Sequence, residues 1–263
     1  MTAVLGIPFA IGVLWVGGLS LSITMLVLSI IGLYEIYGAI KGQYKPIVLF
    51  GYITVILYYV LLNTVQNYFI VFFSIVVVIL LTVMVIKYPK YNIVDVGLTL
   101  FPIIYVGVLF SLVLLTRQLS QGIFWVWLIP ISAWGSDTFA YFTGLTIGKQ
   151  KLAPTLSPKK TIEGSVGGAI GAGILGYIYI LMYTAITKSK PEVDTVIVIA
   201  AVVMSAIWSQ VGDLAASAIK RYFNEKDFGN LLPGHGGVLD RFDSLLFVAP
   251  IIYVAALIAE SIM

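Results

Sequence analysis

The chain contains no cysteine and a single histidine, His235, among its 263 residues. The absence of cysteine excludes disulfides, thiolate nucleophiles and cysteine-based zinc or iron–sulfur sites. Charge is scarce as well: charged residues make up 10% of the sequence and hydrophobic residues 60%, whereas soluble domains carry about 25% charged residues. This composition predicts a membrane protein rather than a soluble domain.

Uncharged apolar runs, such as residues 67–86, recur along the chain. At about 20 residues each they are long enough to cross the core of a bilayer. They lack the alternation of barrel strands, and a helix satisfies its own backbone hydrogen bonds in lipid. We therefore expect an all-α polytopic membrane protein. Nine spans are predicted, at 3–18, 20–40, 46–62, 67–87, 92–116, 122–144, 165–187, 194–218 and 244–262.

The predicted spans form two regions and have a predicted orientation. Residues 1–118 would hold about five N-terminal helices, and residues 119–263 a C-terminal catalytic region. With the N-terminus inside, twelve Lys and Arg residues fall in inside loops and three in outside loops, as the positive-inside rule expects. This orientation puts the C-terminus outside and the long polar loops 145–164 and 219–243 in the cytosol. Loops of this length usually have a function.

Four acidic residues lie in or beside predicted spans, where an ionised side chain is costly and indicates a function. Glu35 and Asp95 are near span ends, and a structural role is favoured for both. Asp137 and Asp213 lead directly into the two charged loops. These two are the stronger candidates for chemistry.

The helix before the second loop would present an acid and a base on one face. If it continues through Lys220, then Asp213, Ser217 and Lys220 lie at positions i, i+4 and i+7. That face carries a deep carboxylate, a hydroxyl and a base nearer the cytosol. A buried ion pair that only fixes the helix is the alternative.

Charge is concentrated in “LLPGHGGVLDRFDSLLF” (231–247), beside an apolar run. A helix that starts near Leu239 would aim the carboxylates of Asp240 and Asp243 the same way, with Arg241 pointing elsewhere. Carboxylates without His or Cys ligands suit Mg²⁺, which accepts substrate phosphates as co-ligands. The predicted metal ligands are Asp213, Asp240, Asp243 and Asp137, with a second cation left open.

Basic residues and glycines accompany these acids. Lys and Arg suit phosphate oxygens, Arg through its planar fork, and the “PGHGG” run (233–237) offers amides for an anion nest. In the first loop, the Pro-containing run “SPKKT” (157–161) has the lysines and hydroxyls of a phosphate-binding loop. For Lys149 and Lys151, lysines that merely face anionic lipid are a serious alternative. Together these features indicate phosphoryl-transfer chemistry.

The glycines that follow the first loop are expected to have a packing role. Gly164 and Gly168, and likewise Gly167 and Gly171, have the small-xxx-small spacing of closely packed membrane helices. We assign them no chemistry.

The stretch “SAIKRYFNEKDFGNLLPGHGGVLDRFD” (217–243) resembles the signature of the phosphatidate cytidylyltransferases, also called CDP-diacylglycerol synthases, with no departure at any position. “SDTFAYFTG” (136–144) and “SPKKTIEGSVGG” (157–168) are also similar to that family. The resemblance implies an Mg²⁺-dependent reaction in which CTP and phosphatidate give CDP-diacylglycerol and pyrophosphate. It also implies a homodimeric enzyme of the bacterial inner membrane.

In the expected mechanism, the lipid phosphate attacks the α-phosphorus of CTP in line. This phosphate is already largely anionic at neutral pH, so a general base is not obligatory. Fixed cations and metal offset the repulsion between two polyanions. The expected catalytic residues are Asp213, Lys220, Arg221, Asp240, Arg241 and Asp243. The expected substrate-binding residues are Ser157, Lys159, Lys160, Ser217, Lys226, His235, Gly236 and Gly237, with His235 either donating to phosphate or holding the loop.

Two alternatives stay open. A CTP-dependent polyprenol or phytol kinase also brings nucleotide, metal and membrane lipid together. An ion-coupled transporter also keeps aspartates at membrane depth, but it would place them near the midplane and would not turn over CTP. Nucleic-acid binding is not expected, because the basic residues occupy membrane loops without a continuous basic face.

Overall fold

The computed structural model describes residues 2–231 and 236–262. The N-terminal helices are α1 (Thr2–Val16), α2 (Gly18–Ile40), α3 (Val48–Val60), α4 (Leu62–Val65), α5 (Phe69–Ile86), α6 (Ile93–Pro102) and, after a π-helical turn at Ile103–Val108, α7 (Leu109–Gln118). The C-terminal elements are α8 (Gly122–Ile147), β1 (Lys151–Ala153), β2 (Ser157–Thr161), α9 (Ile162–Thr187), α10 (Thr195–Tyr222) and α11 (Leu239–Ile262).

The all-α polytopic membrane class is confirmed. Six helices of the described chain are long and apolar enough to cross a membrane: α2, α5, the continuous run Ile93–Gln118, α9, α10 and most of α11. Many apolar side chains of α5 are exposed on the outside of the bundle, where lipid would solvate them. Within the residues that the structure describes, each of the nine predicted spans is mainly helical. However, α1 and α3 are short, at 15 and 13 residues, and nine spans stay a prediction.

The core of the protein lies where the C-terminal helices meet α2 and α7. Helices α8, α9, α10 and α11 pack against one another, and α11 also contacts α7 and α2. The predicted region boundary after residue 118 falls at the end of α7. The N-terminal helices nevertheless support the C-terminal region directly, because α2 and α7 pack on α11.

Helices α8 and α9 approach each other closely along the predicted glycine pattern. A Cβ atom on Gly164 would lie 2.8 Å from the carbonyl oxygen of Ala140, and one on Gly168 would lie 2.8 Å from that of Ser136. Side chains of α8 likewise occupy the space beside Gly167 and Gly171. The packing role predicted for these glycines is confirmed.

The first predicted loop is a β-hairpin in the structure, which the sequence analysis did not anticipate. Strands β1 and β2 pair antiparallel, with Lys151 opposite Thr161 and Ala153 opposite Ser157. Thr161 caps α9 by accepting a hydrogen bond from the backbone N–H of Gly164 (3.1 Å). The carboxylate of Glu163 accepts hydrogen bonds from the backbone N–H groups of Lys149 and Gln150. The hairpin is therefore tied at its base to the first turn of α9.

The second predicted loop is shorter than residues 219–243. Helix α10 continues to Tyr222, as the face shared by Asp213 and Lys220 required, and α11 begins at Leu239, as predicted. Residues 223–238 connect the two helices; we call this segment the signature loop. Its residues Leu232, Pro233, Gly234 and His235 lie outside the described residues.

Candidate active site

A cavity of about 500 Å³ lies between α8, the hairpin, α9 and α10. Asp137 of α8 and Asp213 of α10 supply carboxylates to its wall. Three lysines of the hairpin line it as well: Lys151, Lys159 and Lys160. The cavity therefore combines acids and bases beside the hairpin, as the phosphoryl-transfer hypothesis predicts.

An ion pair between Lys160 and Asp213 joins the hairpin to α10. The two side chains are 24% and 32% exposed, but the Nζ atom of Lys160 is itself buried, so an entering anion would have to displace Asp213 to reach the ammonium group. The two motif regions predicted to act together thus meet at this pair. Ser157, by contrast, is half-buried in the hairpin and is not among the residues that line the cavity in the described chain.

Three of the four predicted metal ligands are neighbours. Asp137 accepts a hydrogen bond from the hydroxyl of Ser244 (3.3 Å), and Asp243 accepts one from the backbone N–H of Ser244 (2.8 Å). Asp243 is 6% exposed and lies within electrostatic range of Asp213 and Asp137. Helices α8, α10 and α11 each contribute one carboxylate to this group, which we call the acidic cluster (Asp137, Asp213 and Asp243).

Asp240 makes different contacts from the acidic cluster. Its Oδ1 atom binds the Nζ atom of Lys220 at 2.6 Å, with side chains 5% and 11% exposed respectively. Its Oδ2 atom accepts hydrogen bonds from the backbone N–H groups of Phe228 and Gly237, both at 2.9 Å. The ammonium group of Lys220 also lies 5.3 Å from the centre of the Phe228 ring. Asp240 and Lys220 thus hold the signature loop together, and a metal-binding role for Asp240 stays a prediction.

Asp213 and Lys220 do not pair with each other along the face of α10. Asp213 pairs with Lys160 and Lys220 pairs with Asp240, so each residue binds a partner from a different element. Ser217, between them on α10, is half-buried.

The remaining basic residues lie on the surface. Arg221, Lys226 and Arg241 are exposed, and Arg221 donates a hydrogen bond to the carbonyl oxygen of Glu225 (3.0 Å). Arg241 is exposed, whereas the side chains of Asp240 and Asp243 are buried. The phosphate-binding roles of Arg221, Lys226 and Arg241 stay predictions.

The glycines of the signature loop make room for carboxylates. Gly236 has a φ of 78°, a conformation that favours glycine, and a Cβ atom there would lie 3.2 Å from Oδ2 of Asp240. Gly237 is buried and donates its N–H to the same oxygen. The prediction for His235 falls outside the described residues.

The structural roles predicted for Glu35 and Asp95 are confirmed. Asp95 accepts hydrogen bonds from the backbone N–H groups of Lys45 (2.8 Å) and Asn92 (3.0 Å). Glu35 accepts two from the start of α11, at Val238 and Leu239, both at 2.7 Å.

Two residues near the site escaped the sequence analysis. Gln210 lines the cavity one turn before Asp213 and donates to the carbonyl oxygen of Ser165 (3.0 Å); an amide at membrane depth was the available signal. Tyr105, in the π-helical turn, is buried within electrostatic range of Asp213 and Asp243, and its hydroxyl has no hydrogen-bond partner in the described part of the chain. A tyrosine in an apolar span is indistinguishable in sequence from a core residue.

The acidic cluster offers the donor atoms that a hard cation prefers. Its donors are all carboxylate oxygens, and Mg²⁺ commonly takes one or two carboxylates and completes its shell with water and substrate phosphates. Within residues 2–231 and 236–262, no group of three or more His, Asp or Glu side chains is arranged to hold a metal without help. A cation here would therefore depend on substrate oxygens for part of its coordination.

Comparison with known proteins gives a consistent result. The model of the cytidylyltransferase family matches residues 1–259. A phosphatidate cytidylyltransferase of Staphylococcus haemolyticus is 31% identical over 259 residues, 96% of this chain and 95% of the relative. One of Staphylococcus aureus (strain COL) is 30% identical over 260 residues, with the same shares. One of Bacillus subtilis is 39% identical over 160 residues, a match that covers 60% of this chain and 57% of that relative.

Proposed function

Because the chain belongs to the cytidylyltransferase family, we propose that it transfers the cytidylyl group of CTP to phosphatidate. The products would be CDP-diacylglycerol and pyrophosphate, a step of phospholipid biosynthesis. The observation that carries this proposal is the cavity in which lysines of the hairpin meet the carboxylates of α8 and α10 within a bundle of membrane helices. The names of the full-length relatives support the choice of substrates.

The hairpin lysines are proposed to bind the phosphates of CTP. Lys159 is exposed and its ammonium group is available to phosphate oxygens, whereas the Nζ atom of Lys160 is buried against Asp213 and would bind phosphate by exchanging that partner. Lys151 lines the same wall. The triphosphate carries several negative charges, and three lysines around one cavity offset much of that charge.

The lipid is proposed to enter from the side of α8. Tyr141 and Leu145 line the cavity and are 64% and 71% exposed. On a membrane protein these apolar surfaces face acyl chains, so a phosphatidate molecule can keep its tails in lipid while its headgroup reaches Asp137 and Lys160. If the acyl chains stay outside the cavity, its volume is free for the phosphatidate headgroup and the nucleotide.

The proposed reaction is a single in-line displacement. A phosphate oxygen of phosphatidate forms a bond to the α-phosphorus of CTP, and the bond from that phosphorus to the bridging oxygen of the β-phosphate breaks, releasing pyrophosphate. The lipid phosphate is already an anion, so no residue must remove a proton. Mg²⁺, when bound, would neutralise charge on the transferring and leaving phosphates. Asp213, Asp137 and Asp243 are the residues proposed to hold it, and the metal-binding role predicted for Asp240 is retained as a proposal.

Asp240 and Lys220 are proposed to act by position. Their ion pair and the two backbone hydrogen bonds to Asp240 fix the signature loop beside the acidic cluster. Arg221, Lys226 and Arg241 are exposed there and are proposed to attract phosphate from solvent. Because CTP is a soluble nucleotide, we propose that the hairpin and the signature loop lie in the cytosol of a bacterial cell. The homodimer implied by the family resemblance is retained as a proposal.

The test is an assay of the purified protein in detergent with phosphatidate, Mg²⁺ and CTP labelled in the cytosine ring. We expect label to pass into the organic phase, and EDTA to prevent this. Label that remains aqueous as CDP, with a newly phosphorylated lipid alcohol when one is supplied, would support the kinase instead. A protein that turns over no CTP with any lipid would contradict both enzymatic proposals and favour the transporter.

A further inference from the structure

Glu35 connects the N-terminal helices to the signature loop. It lies in α2, is 1% exposed, and accepts hydrogen bonds from Val238 through Oε1 and from Leu239 through Oε2, both at 2.7 Å. These backbone N–H groups belong to the start of α11, where the helix has no carbonyl partners of its own to offer. A carboxylate at a helix N-terminus is also favoured by the helix dipole.

The signature loop is built around this carboxylate. Cβ atoms on Gly229 and Gly237 would lie 2.8 and 2.7 Å from atoms of the Glu35 carboxyl group, so a larger residue at either position would displace that group. Leu239, which is fully buried, packs beside Gly32 one turn before Glu35, where a Cβ atom would lie 3.7 Å from its Cδ1 atom. Gly229 within the loop and the residues at the start of α11 therefore lie directly against α2.

Asp240 binds the backbone of the same two parts of the signature loop, beside Gly229 and at Gly237. Its Oδ2 atom accepts hydrogen bonds from the N–H groups of Phe228 and Gly237. Phe228 precedes Gly229, and Gly237 itself lies against Glu35. Two carboxylates thus bracket the loop, one from α2 and one from α11. Any shift in the contact at Glu35 moves Leu239, and with it the next residue, Asp240.

We propose that Glu35 is a positioning residue for cytidylyl transfer: it sets where α11 begins and thereby aligns Asp240, Lys220 and Asp243 for the reaction. The proposal rests on the function proposed above. It assigns part of the active-site framework to the N-terminal helices, which contain none of the predicted catalytic residues. A misplacement of about 1 Å at a reacting group can cost about 100-fold in rate, so a small shift at this contact suffices.

The test compares Glu35→Gln with Asp95→Asn. Both wild-type carboxylates are buried, and each accepts one backbone N–H on each oxygen. Both amides leave one backbone N–H facing an NH₂ group, a donor against a donor. The two variants are therefore matched in chemistry and differ in location, because Asp95 joins α6 to the segment before α3.

We expect Glu35→Gln to lower kcat about 100-fold with little change in KM for CTP, since the hairpin lysines are untouched. Asp95→Asn should keep kcat within about two-fold, even if both variants lower the unfolding temperature equally. Glu35→Asp, which keeps both oxygens but shortens the side chain, should be intermediate. If Glu35→Gln does not accumulate in cells, Glu35→Asp replaces it in the comparison with Asp95→Asn. Equal losses of kcat in the Glu35 and Asp95 variants, or wild-type kcat in both Glu35 variants, would overturn the proposal.

Hydrogen exchange separates this proposal from the proposed reaction. In Glu35→Gln, the amides of Val238 and Leu239 should exchange faster than in wild type, while those of the hairpin stay protected. If wild-type protein turns over no CTP with phosphatidate, the proposed function fails, yet this measurement still reports whether Glu35 fixes the start of α11. Unchanged exchange at residues 238–239 would refute the positioning contact whatever the reaction.

Discussion

Lys160 links the two motif regions, because it lines the cavity and pairs with Asp213. Replacing it by methionine keeps the length of the side chain and removes the charge. A hydrogen bond to a charged group contributes about 1.5–3 kcal/mol, so we expect Lys160→Met to raise KM for CTP about 10-fold or more. Lys190→Met, an exposed lysine between α9 and α10, is the control and should behave as wild type. An unchanged KM in Lys160→Met would remove Lys160 from the nucleotide site.

The pair of Asp240 and Lys220 should be needed for both stability and activity. In Asp240→Asn, the buried ammonium group of Lys220 loses its counterion, a change that costs about 3 kcal/mol or more. We expect turnover to be abolished and the unfolding temperature in detergent to fall. The loss of stability follows from the contacts that Asp240 makes to Lys220 and to the backbone of the signature loop.

A double variant distinguishes these two effects. Asp240→Asn combined with Lys220→Met removes both charges, so it should recover part of the lost stability and none of the activity. Thermal unfolding and the lipid-phase assay measure the two quantities on the same samples. If activity returned together with stability, the ion pair would not be needed to position the signature loop for the reaction.

Residue partners were the part of the site that the sequence could not supply. Asp213, Asp137 and Lys160 were identified from their types and from their distance to charged loops, and the structure does bring them to one cavity. Helical periodicity shows which residues share a face of α10, but the partners of those residues come from other elements. The two bonds of Glu35 join positions more than 200 residues apart, and no local pattern encodes them.

At the scale of elements, the close approach of α8 and α9 holds the hairpin in place. A methyl group on Gly168 would lie 2.8 Å from a backbone oxygen that cannot move freely, so we expect Gly168→Ala to destabilise the protein by about 1–3 kcal/mol. Gly97→Ala in α6 is the matched control, since nothing lies within 4 Å of its Cβ position. There alanine should be neutral or stabilising, because it favours the helix by about 1 kcal/mol. Unfolding of purified protein by heat compares the two, and equal effects would contradict tight packing at Gly168.

The ends of the helices were more predictable than the loops between them. A helix start near Leu239 and a continuation of α10 through Lys220 were considered from residue spacing, and the structure has both, although the predicted spans 194–218 and 244–262 stop short of them. The hairpin was missed because “KLA” and “SPKKT” show neither apolar alternation nor a two-residue turn signal. Its strands are held by their connection to α8 and α9, in particular by Glu163 and Thr161, rather than by intrinsic strand preference.

The whole molecule has a predicted orientation that its composition makes easy to test. Because the chain has no cysteine, a single introduced cysteine is the one thiol available to a maleimide. Lys190 and Lys226 are exposed and lie on either side of α10, which is long and apolar enough to span the membrane. A membrane-impermeant maleimide should label Lys190→Cys in intact cells and Lys226→Cys only in inverted vesicles. Both variants should first be shown to fold, by an unfolding temperature in detergent equal to that of the wild type.

This experiment bears on function as well as topology. The signature loop and the hairpin must face the side on which CTP occurs, and the spacing of Lys190 and Lys226 across one helix makes the result independent of how many of the nine predicted segments cross. Labelling of Lys226→Cys in intact cells, with Lys190→Cys protected, would invert the molecule and expose the cavity to the exterior. Soluble nucleotide could not then reach the hairpin lysines from the cytosol, and the proposed reaction would have to be abandoned together with the orientation.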